Sequence, residues 1–355
     1  MARVTLPDPP DPPLPGAIRT EEALDDLLTR PRPALVEFIR SLRGPLLVLG
    51  AGGKMGPTLA VLARRAADAA GTRLRVIAAS RFGDEKTVRW LDERGVETAR
   101  ADLLDRRDVE GLPEAAEVVY LVGFKFGTSR DPARAWATNA IAPALVAERF
   151  PRARIVALST GNVYSLVPIE SGGARETDTP APAGEYAAAA LARERIFEYF
   201  SARNGTPVAI LRLNYALDLR YGVLADIARR VWSDEPLDLS MGHLNCIWQG
   251  DANELILRAL PLAAAPAAVI NLTGADVLSV RELAGRFGRL LGKEPRFMGT
   301  EAPTALLSNS SRLHGLLGTP PTPLDAVLRW TAEWVKGGGR DLGKPTHYEV
   351  RNGKF

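Results

Sequence analysis

A glycine-rich stretch directly after a short apolar run constrains the fold of this chain most. It reads Pro45-Leu-Leu-Val-Leu-Gly-Ala-Gly-Gly-Lys-Met-Gly-Pro-Thr-Leu-Ala60. The apolar run at 46–49 predicts a buried parallel strand, and a helical pattern follows from Thr58. Free backbone N–H groups and the helix dipole meet after such a turn and bind anions. The same pattern is typical of an ordinary strand-to-helix turn, but a second apolar strand at 74–79 favours a bound dinucleotide.

Composition excludes several classes of protein. The 355 residues suit one large or two modest domains, and 46% hydrophobic with 25% charged residues is typical of a globular protein. We expect no membrane partner, because no apolar run approaches the ~18 residues of a span. The scattered net charge of +3 argues against nucleic-acid binding. The N-terminus lacks an apolar signal core and Cys246 has no partner, which predicts a cytoplasmic protein without disulfide or metal cluster.

Apolar and helical segments alternate along most of the chain. This alternation predicts an α/β fold, a doubly wound parallel sheet of the Rossmann type. The predicted strands are 46–49, 74–79, 117–122, 154–159, 207–212 and 268–272. The predicted helices lie near 57–70, 84–94, 132–149, 184–203, 222–232, 251–260, 279–291 and 322–336.

The same patterns predict a domain organisation. Residues 1–44 form an N-terminal arm with short helices, that is, a helical extension of the fold. Residues 45–215 form the dinucleotide-binding domain, to which 240–275 return. Residues 216–239 and 276–345 form a small C-terminal substrate-binding domain, and 346–355 form a tail.

Several motifs occur in an order that resembles the extended short-chain dehydrogenase/reductase family, the NAD(P)-dependent sugar epimerases and dehydratases. The resemblance covers about 45–336. The glycine loop matches G-x-x-G-x-x-G, Asp102-Leu103 matches an adenine-contacting pair, and 121–127 match a loop along the cofactor. The cofactor-binding residues that the resemblance implies are Gly50, Gly52, Gly53, Lys54, Met55, Gly56, Ser80, Arg81, Asp102, Leu103, Gly123, Lys125 and Asn139.

The active-site segment of that family is similar to Ser159-Thr160-Gly-Asn-Val-Tyr164. The resemblance implies that Thr160 holds the substrate oxygen and that Tyr186 is the catalytic tyrosine, with Glu194 as the usual acid of its helix. Substrate contacts are predicted for Asn162, Tyr164, Asn214, Tyr221, His243 and Asn245, although packing or loop capping explains each of them equally well.

One departure from the family concerns the cofactor. The second strand ends in Ala79-Ser80-Arg81, where an NAD-preferring member carries an acidic residue. A carboxylate there binds the ribose 2′-OH but repels a 2′-phosphate, whereas a guanidinium binds a phosphate through paired hydrogen bonds. We therefore expect NADP rather than NAD, the alternative being that Arg81 faces solvent in an Arg-rich protein.

The second departure concerns the chemistry. Ala190 stands one helical turn after Tyr186, where the family carries a lysine. A free tyrosine has a pKa of about 10 and is a poor base at neutral pH unless a cation lies nearby. Lys125 is the predicted substitute and a third catalytic candidate, because its loop borders the nicotinamide ribose in the family. A phosphate or surface contact is an equally good explanation of Lys125.

Two functions remain open from the sequence. One is an NADP-dependent oxidoreductase or epimerase that acts on a hydroxyl or keto group of a sugar-like or sugar-nucleotide substrate. The other is a nucleotide-binding protein with little or no redox turnover, a sensor or partner subunit, which the missing lysine favours. The resemblance also implies a homodimer that pairs through helices 132–149 and 184–203, with residues 187–191 as a close-packing surface.

Overall fold

A seven-stranded parallel sheet forms the centre of the computed structural model, which describes residues 11, 13–125, 127–128 and 130–353. Each of the six pairings between neighbouring strands is parallel. In chain order the strands are β1 (Leu46–Leu49), β2 (Val76–Ser80), β3 (Glu97–Arg100), β4 (Glu117–Tyr120), β5 (Arg154–Thr160), β6 (Val208–Leu213) and β7 (Ala268–Leu272). Their spatial order, β7-β6-β5-β4-β1-β2-β3, reverses between β1 and β4. The predicted doubly wound α/β fold is confirmed.

The strand β3 was not predicted, and its residues show why. Glu97 and Arg100 are exposed, and β3 lies at an edge of the sheet with one neighbour only. A partly exposed edge strand needs no apolar run. The other six strands were predicted within two residues of their bounds, because most of them are buried on both faces.

Helices cover both faces of this sheet. Two short helices, Arg106–Glu110 and Ser311–Leu317, were not predicted, since five and seven residues carry little periodicity. The helices are α1 (Glu21–Leu28), α2 (Pro33–Arg40), α3 (Gly56–Ala69), α4 (Glu85–Asp92), α5 (Arg106–Glu110), α6 (Pro132–Arg149), α7 (Gly184–Asn204), α8 (Val223–Trp232), α9 (Gln249–Arg258), α10 (Val280–Leu291), α11 (Ser311–Leu317) and α12 (Leu324–Lys336). None in the described part of the chain is long and apolar enough to cross a membrane.

Alternate residues of β1 enter two different cores. Leu46 and Val48 pack with α2, α3 and α9, whereas Leu47 and Leu49 pack with α6 and α7 on the other face. Successive side chains of a strand point to opposite faces, so a strand covered on both sides is apolar throughout. The burial of β1 on both faces fixes the position of the turn that follows it.

A third core lies beside the sheet and is built mainly from α8, α10 and α12. Trp330 and Phe287 are fully buried in it. Two-stranded ladders frame it and the cleft beside it: Val167–Pro168 with Thr304–Ala305, Ala216–Leu217 with Ile247–Trp248, Leu237–Asp238 with Phe297–Met298, and His243–Leu244 with Leu278–Ser279.

The N-terminal extension packs on the rest of the molecule. Leu24 and Leu28 of α1 enter the third core, and Leu35 and Ile39 of α2 enter the core around α3. Arg32 adds buried ion pairs by donating to Asp251 at 2.7 Å and to Glu254 at 2.9 Å. Residues 1–10 and 12 of the predicted N-terminal segment lie outside the described residues.

Candidate cofactor groove and active site

A groove of about 500 Å³ opens at the carboxyl edge of the sheet, where the strand order reverses between β1 and β4. Ligands of doubly wound sheets bind at this crevice, because the loops after the two strands run in opposite directions there. Eight of the predicted cofactor residues line the groove: Gly50, Gly52, Gly53, Ser80, Arg81, Asp102, Leu103 and Gly123.

The glycine loop leaves no room for side chains. Gly50 has a φ of +80°, and a Cβ on Gly52 would lie 2.8 Å from the Ser80 hydroxyl oxygen. A Cβ on Gly56 would lie 2.5 Å from the Cα of Ala51, so helix α3 starts directly against the turn. Bare backbone beside a helix N-terminus fits the pyrophosphate of a dinucleotide.

The far rim of the groove carries Arg81 and Asp102, which the sequence predicts as cofactor contacts. Arg81 follows β2, is largely exposed, and lies 3.7 Å from a carboxylate oxygen of Asp102. The other Asp102 oxygen accepts from the Leu104 backbone N–H at 3.1 Å. The guanidinium of Arg81 therefore lies at the groove and is paired with Asp102. A bound phosphate could take the place of that carboxylate.

The other five predicted cofactor residues do not line the groove. One of them is Lys125, and the other four are Lys54, Met55, Gly56 and Asn139. Met55 and Gly56 form the start of α3 and pack inward. Asn139 is fully buried, and its side-chain oxygen accepts from Arg193 at 2.8 Å. Lys54 turns away from the groove toward Tyr221.

Arg193 of α7 holds the loop after β4 in place by a hydrogen bond. The same Nη1 atom that contacts Asn139 donates to the Val122 carbonyl at 2.8 Å. A Cβ on Gly123 would lie 2.7 Å from this nitrogen. Arg193 thus holds the floor of the groove where β4 ends, and glycine at 123 leaves space for it.

Thr160 ends β5 with its hydroxyl already in a local hydrogen bond. The oxygen accepts from the backbone N–H of Asn162 at 3.2 Å and from its side-chain amide at 3.0 Å. Its own hydrogen remains able to donate to an acceptor. Asn162 therefore orients the hydroxyl of Thr160 through these two hydrogen bonds.

Tyr164 belongs to a buried network instead of a substrate surface. Its hydroxyl donates to Asn271 at 2.9 Å and accepts from Arg212 at 2.7 Å. Arg212 in turn forms a paired ion contact with Glu194, which also accepts from Ser159. Burial raises the pKa of Tyr164, while the hydrogen bond from Arg212 opposes that rise.

Asn214 and Asn245 also bond inside the protein. The amide of Asn214 donates to Asn245 at 2.6 Å, and Asn245 donates to the Ser308 carbonyl at 2.6 Å. These contacts tie the end of β6 to the segment at 306–308. His243 is half-buried in its short ladder, with no hydrogen bond to Nδ1 from the described residues.

Tyr186 and Lys125 are brought together by separate elements, the first turn of α7 and the loop after β4. The Nζ of Lys125 lies 5.8 Å from the Tyr186 ring centroid and donates to the Thr346 carbonyl at 3.4 Å. Burial lowers the pKa of Lys125 to about 8, and the Asp226 carboxylate opposes this shift. Ala190 is fully buried beside Val163 and Tyr164.

Lys54 and Tyr221 form a second cationic contact nearby. The Nζ of Lys54 lies 3.1 Å from the Tyr221 ring centroid. Burial, followed by the charges of Lys344 and Lys125, lowers the pKa of Lys54 to about 7. Burial also raises the pKa of Tyr221, with a smaller contribution from Asp226.

Several groove and site residues carry no signal in the sequence. Phe82 has a positive φ of 45° and lines the groove, but nothing in its sequence marks it. Thr346 accepts a hydrogen bond from Lys125, and the charge of Asp226 raises the pKa of Lys125, only because distant segments converge. The remaining groove residues are Gly83, Ala101, Leu104, Leu121, Val122, Thr138 and Ala142.

The part of the chain that forms this groove matches a known family model. Residues 46–217 match the model described as the NAD dependent epimerase/dehydratase family. The matched segment contains the glycine turn, the loop after β4, Thr160 and Tyr186. No curated protein matches the chain.

Solved structures share the fold. UDP-glucose 4-epimerase of Thermus thermophilus, complexed with NAD, is 22% identical with a TM-score of 0.66, covering 82% of this chain and 99% of that one. UDP-glucuronic acid 4-epimerase of Bacillus cereus, also with NAD, is 17% identical with a TM-score of 0.68 and coverage of 82% and 99%. dTDP-glucose 4,6-dehydratase of Bacillus anthracis is 16% identical with a TM-score of 0.69 and coverage of 82% and 96%.

Proposed function

We propose that this protein is an NADP-dependent oxidoreductase or epimerase, because residues 46–217 match the model of the NAD dependent epimerase/dehydratase family. Its substrate carries a hydroxyl or keto group on a sugar-like framework. The observation that supports turnover best is the 5.8 Å separation of the Lys125 Nζ from the Tyr186 ring, beside a groove with a bare glycine floor.

The choice of NADP over NAD rests on the end of β2. Ser80 and Arg81 line the groove there, and a guanidinium next to a hydroxyl suits a 2′-phosphate. The similar solved structures carry NAD. The proposed preference for NADP therefore rests only on this chain's own Ser80 and Arg81. Asp102, 3.7 Å from Arg81, balances that charge when no phosphate is present.

Each proposed catalytic side chain has one role. A bound nicotinamide cofactor supplies or accepts the hydride at the substrate carbon. Tyr186 gives a proton to the substrate oxygen, or takes one from it, and Thr160 donates a hydrogen bond to the same oxygen. Lys125 holds a positive charge near Tyr186, which stabilises the negative charge that develops on the reacting oxygens during proton transfer.

A second candidate function is nucleotide binding with little redox turnover. Ala190 is fully buried against Val163 and Tyr164, so no cation occupies that position on α7. If Lys125 serves only to bind the Thr346 carbonyl, the groove holds a dinucleotide without chemistry. Turnover separates the two functions.

We also propose a homodimer that pairs through α6 and α7. These helices expose the large apolar side chains Trp136 by 40%, Ile141 by 51% and Tyr199 by 58%, and this exposure supports an interface on α6 and α7. Ala187, Ala189 and Ala190 are buried within the chain, so the small-residue surface predicted at 187–191 is unavailable to a partner apart from its outer positions.

The experiment combines binding with turnover. Purified protein is titrated with NADPH and with NADH by nicotinamide fluorescence, and then incubated with NADPH and a panel of keto sugars while absorbance is followed. We expect tighter binding of NADPH and turnover that Tyr186→Phe removes. Gly52→Leu, which fills the groove, is the control for binding. Tight NADPH binding with no turnover on the whole panel would support the second function instead.

A further inference from the structure

The segment Leu342–Gly353, which we call the C-terminal strap, contacts Lys125 and the turn that precedes Tyr186. It starts where the Leu342 N–H donates to the Arg220 carbonyl at 3.1 Å. Thr346 then donates to the Asp226 carboxylate from its backbone at 2.8 Å and from its hydroxyl at 2.5 Å. Both partners lie on the segment that begins α8, so the first half of the strap is attached to the third core.

The second half of the strap is attached to the segments that contain Ser240 and Thr304. Arg351 donates to the Ser240 carbonyl at 3.0 Å, and to the carbonyl and hydroxyl of Thr304 at 2.7 Å each. Between these anchors Tyr348 is 3% exposed and joins the third core. The strap is therefore a packed part of the fold.

The strap touches one catalytic candidate and the turn that carries another. The Thr346 carbonyl accepts from Lys125 at 3.4 Å. Gly353 lies against the start of α7, so closely that a Cβ on it would collide with the Ala183 carbonyl oxygen. Tyr186 follows two residues after Gly184, so the strap runs from Lys125 to the turn that carries Tyr186.

The cofactor groove is left open by contrast. Its lining residues come from positions 50–142, and no residue of the strap is among them. A dinucleotide can enter the groove while the strap stays in place, but a substrate that reaches Tyr186 from the third core must pass the strap. The structure thus separates access for the cofactor from access for the substrate.

We propose that the C-terminal strap limits the size of the substrate, with Thr346 and Arg351 as the residues that set this limit. With the strap docked, the site accepts a small hydroxyl or carbonyl compound, and a nucleotide-linked sugar enters only after the strap has left. This inference rests on the proposed function and narrows its substrate class.

The test measures binding and strap mobility rather than turnover. Full-length protein with saturating NADPH is titrated with UDP-glucose by calorimetry, and hydrogen exchange is followed in peptides from 342–353. We expect the Thr346→Val/Arg351→Gln variant to lose protection in the strap and to bind UDP-glucose at least about 10-fold more tightly than wild type. Arg281→Gln, which removes an exposed ion pair outside the strap, is the matched control.

The wild-type protein provides an independent measurement should the double variant fold poorly. The proposal requires either no UDP-glucose binding or binding that deprotects the strap. Binding of UDP-glucose with the strap fully protected overturns the proposal, as does a variant with a released strap and unchanged UDP-glucose affinity. Absence of NADPH binding would instead overturn the proposed function, so the two failures are distinguishable.

Discussion

The ammonium nitrogen of Lys125 lies 5.8 Å from the centroid of the Tyr186 ring. The two residues come from different parts of the chain, the loop after β4 and the first turn of α7. A cation at this distance stabilises a tyrosinate, most strongly where water is partly excluded. The contact places a positive charge beside Tyr186 although the next turn of α7 carries alanine.

Replacing Lys125 tests this role. We expect Lys125→Met to lower kcat about 10- to 100-fold, because the proton transfer loses its charge support. Since the pKa of Lys125 is lowered to about 8, wild-type kcat should fall as pH rises through 8 and the lysine loses its proton. Lys125→Arg, charged at every accessible pH, should remove that fall. Lys86→Met on α4 is the control, and full turnover by Lys125→Met contradicts the role.

Replacing Lys54 tests the cost of its burial. Its pKa falls from 10.5 to about 7 in the folded protein, so between these values the unfolded chain binds more protons and stability rises with pH. We expect Lys54→Met to raise the free energy of unfolding at pH 6 by about 1 kcal/mol, after discounting for solvent screening, and to lose this advantage by pH 10. Urea denaturation at both pH values measures it, with Lys293→Met as the surface control. An equal effect at both pH values would disprove the assignment.

Replacing Arg81 tests the cofactor preference. Loss of a guanidinium that contacts a phosphate costs about 1.5–3 kcal/mol, so we expect Arg81→Ala to weaken NADPH binding about 10-fold or more. The Kd of NADH should change little. Arg75→Ala, at the opposite end of β2, is the matched control, and fluorescence titration is the measurement. Equal weakening of both cofactors would show that Arg81 does not read the 2′-phosphate.

Replacing Tyr164 tests whether the buried network is structural. Tyr164→Phe leaves Asn271 and Arg212 without the hydroxyl that each contacts at 2.9 Å and 2.7 Å. We expect a loss of about 1–3 kcal/mol in the free energy of unfolding and no change in NADPH affinity. Tyr199→Phe, on the exposed face of α7, is the control in thermal and urea denaturation. A large rise in KM without destabilisation would return Tyr164 to the substrate site.

Local patterns were sufficient for the parallel sheet and the glycine turn. Leu46 to Leu49 are apolar without interruption because both faces of β1 are covered, and Gly50 follows because its φ of +80° disfavours side chains. The exposed strand Glu97–Arg100 escaped prediction because an edge position requires no such pattern.

The roles of single polar residues required the tertiary structure. Asn214, Asn245 and Tyr164 look like ligand contacts in the sequence, but their partners lie 31 to 107 residues away and satisfy them internally. Asn139 is likewise bound to Arg193 across 54 residues. A short motif contains no information about which distant group will reach it.

The sequence by itself therefore determined the Rossmann-type framework and the position of the glycine turn at the groove, because strand burial and glycine geometry are local properties. Only the tertiary structure decided what surrounds Tyr186. The approach of Lys125, the burial of Ala190 and the passage of the strap over the cleft all depend on segments far apart in the chain. Their contacts arise from packing around three cores, and packing is decided by the whole fold.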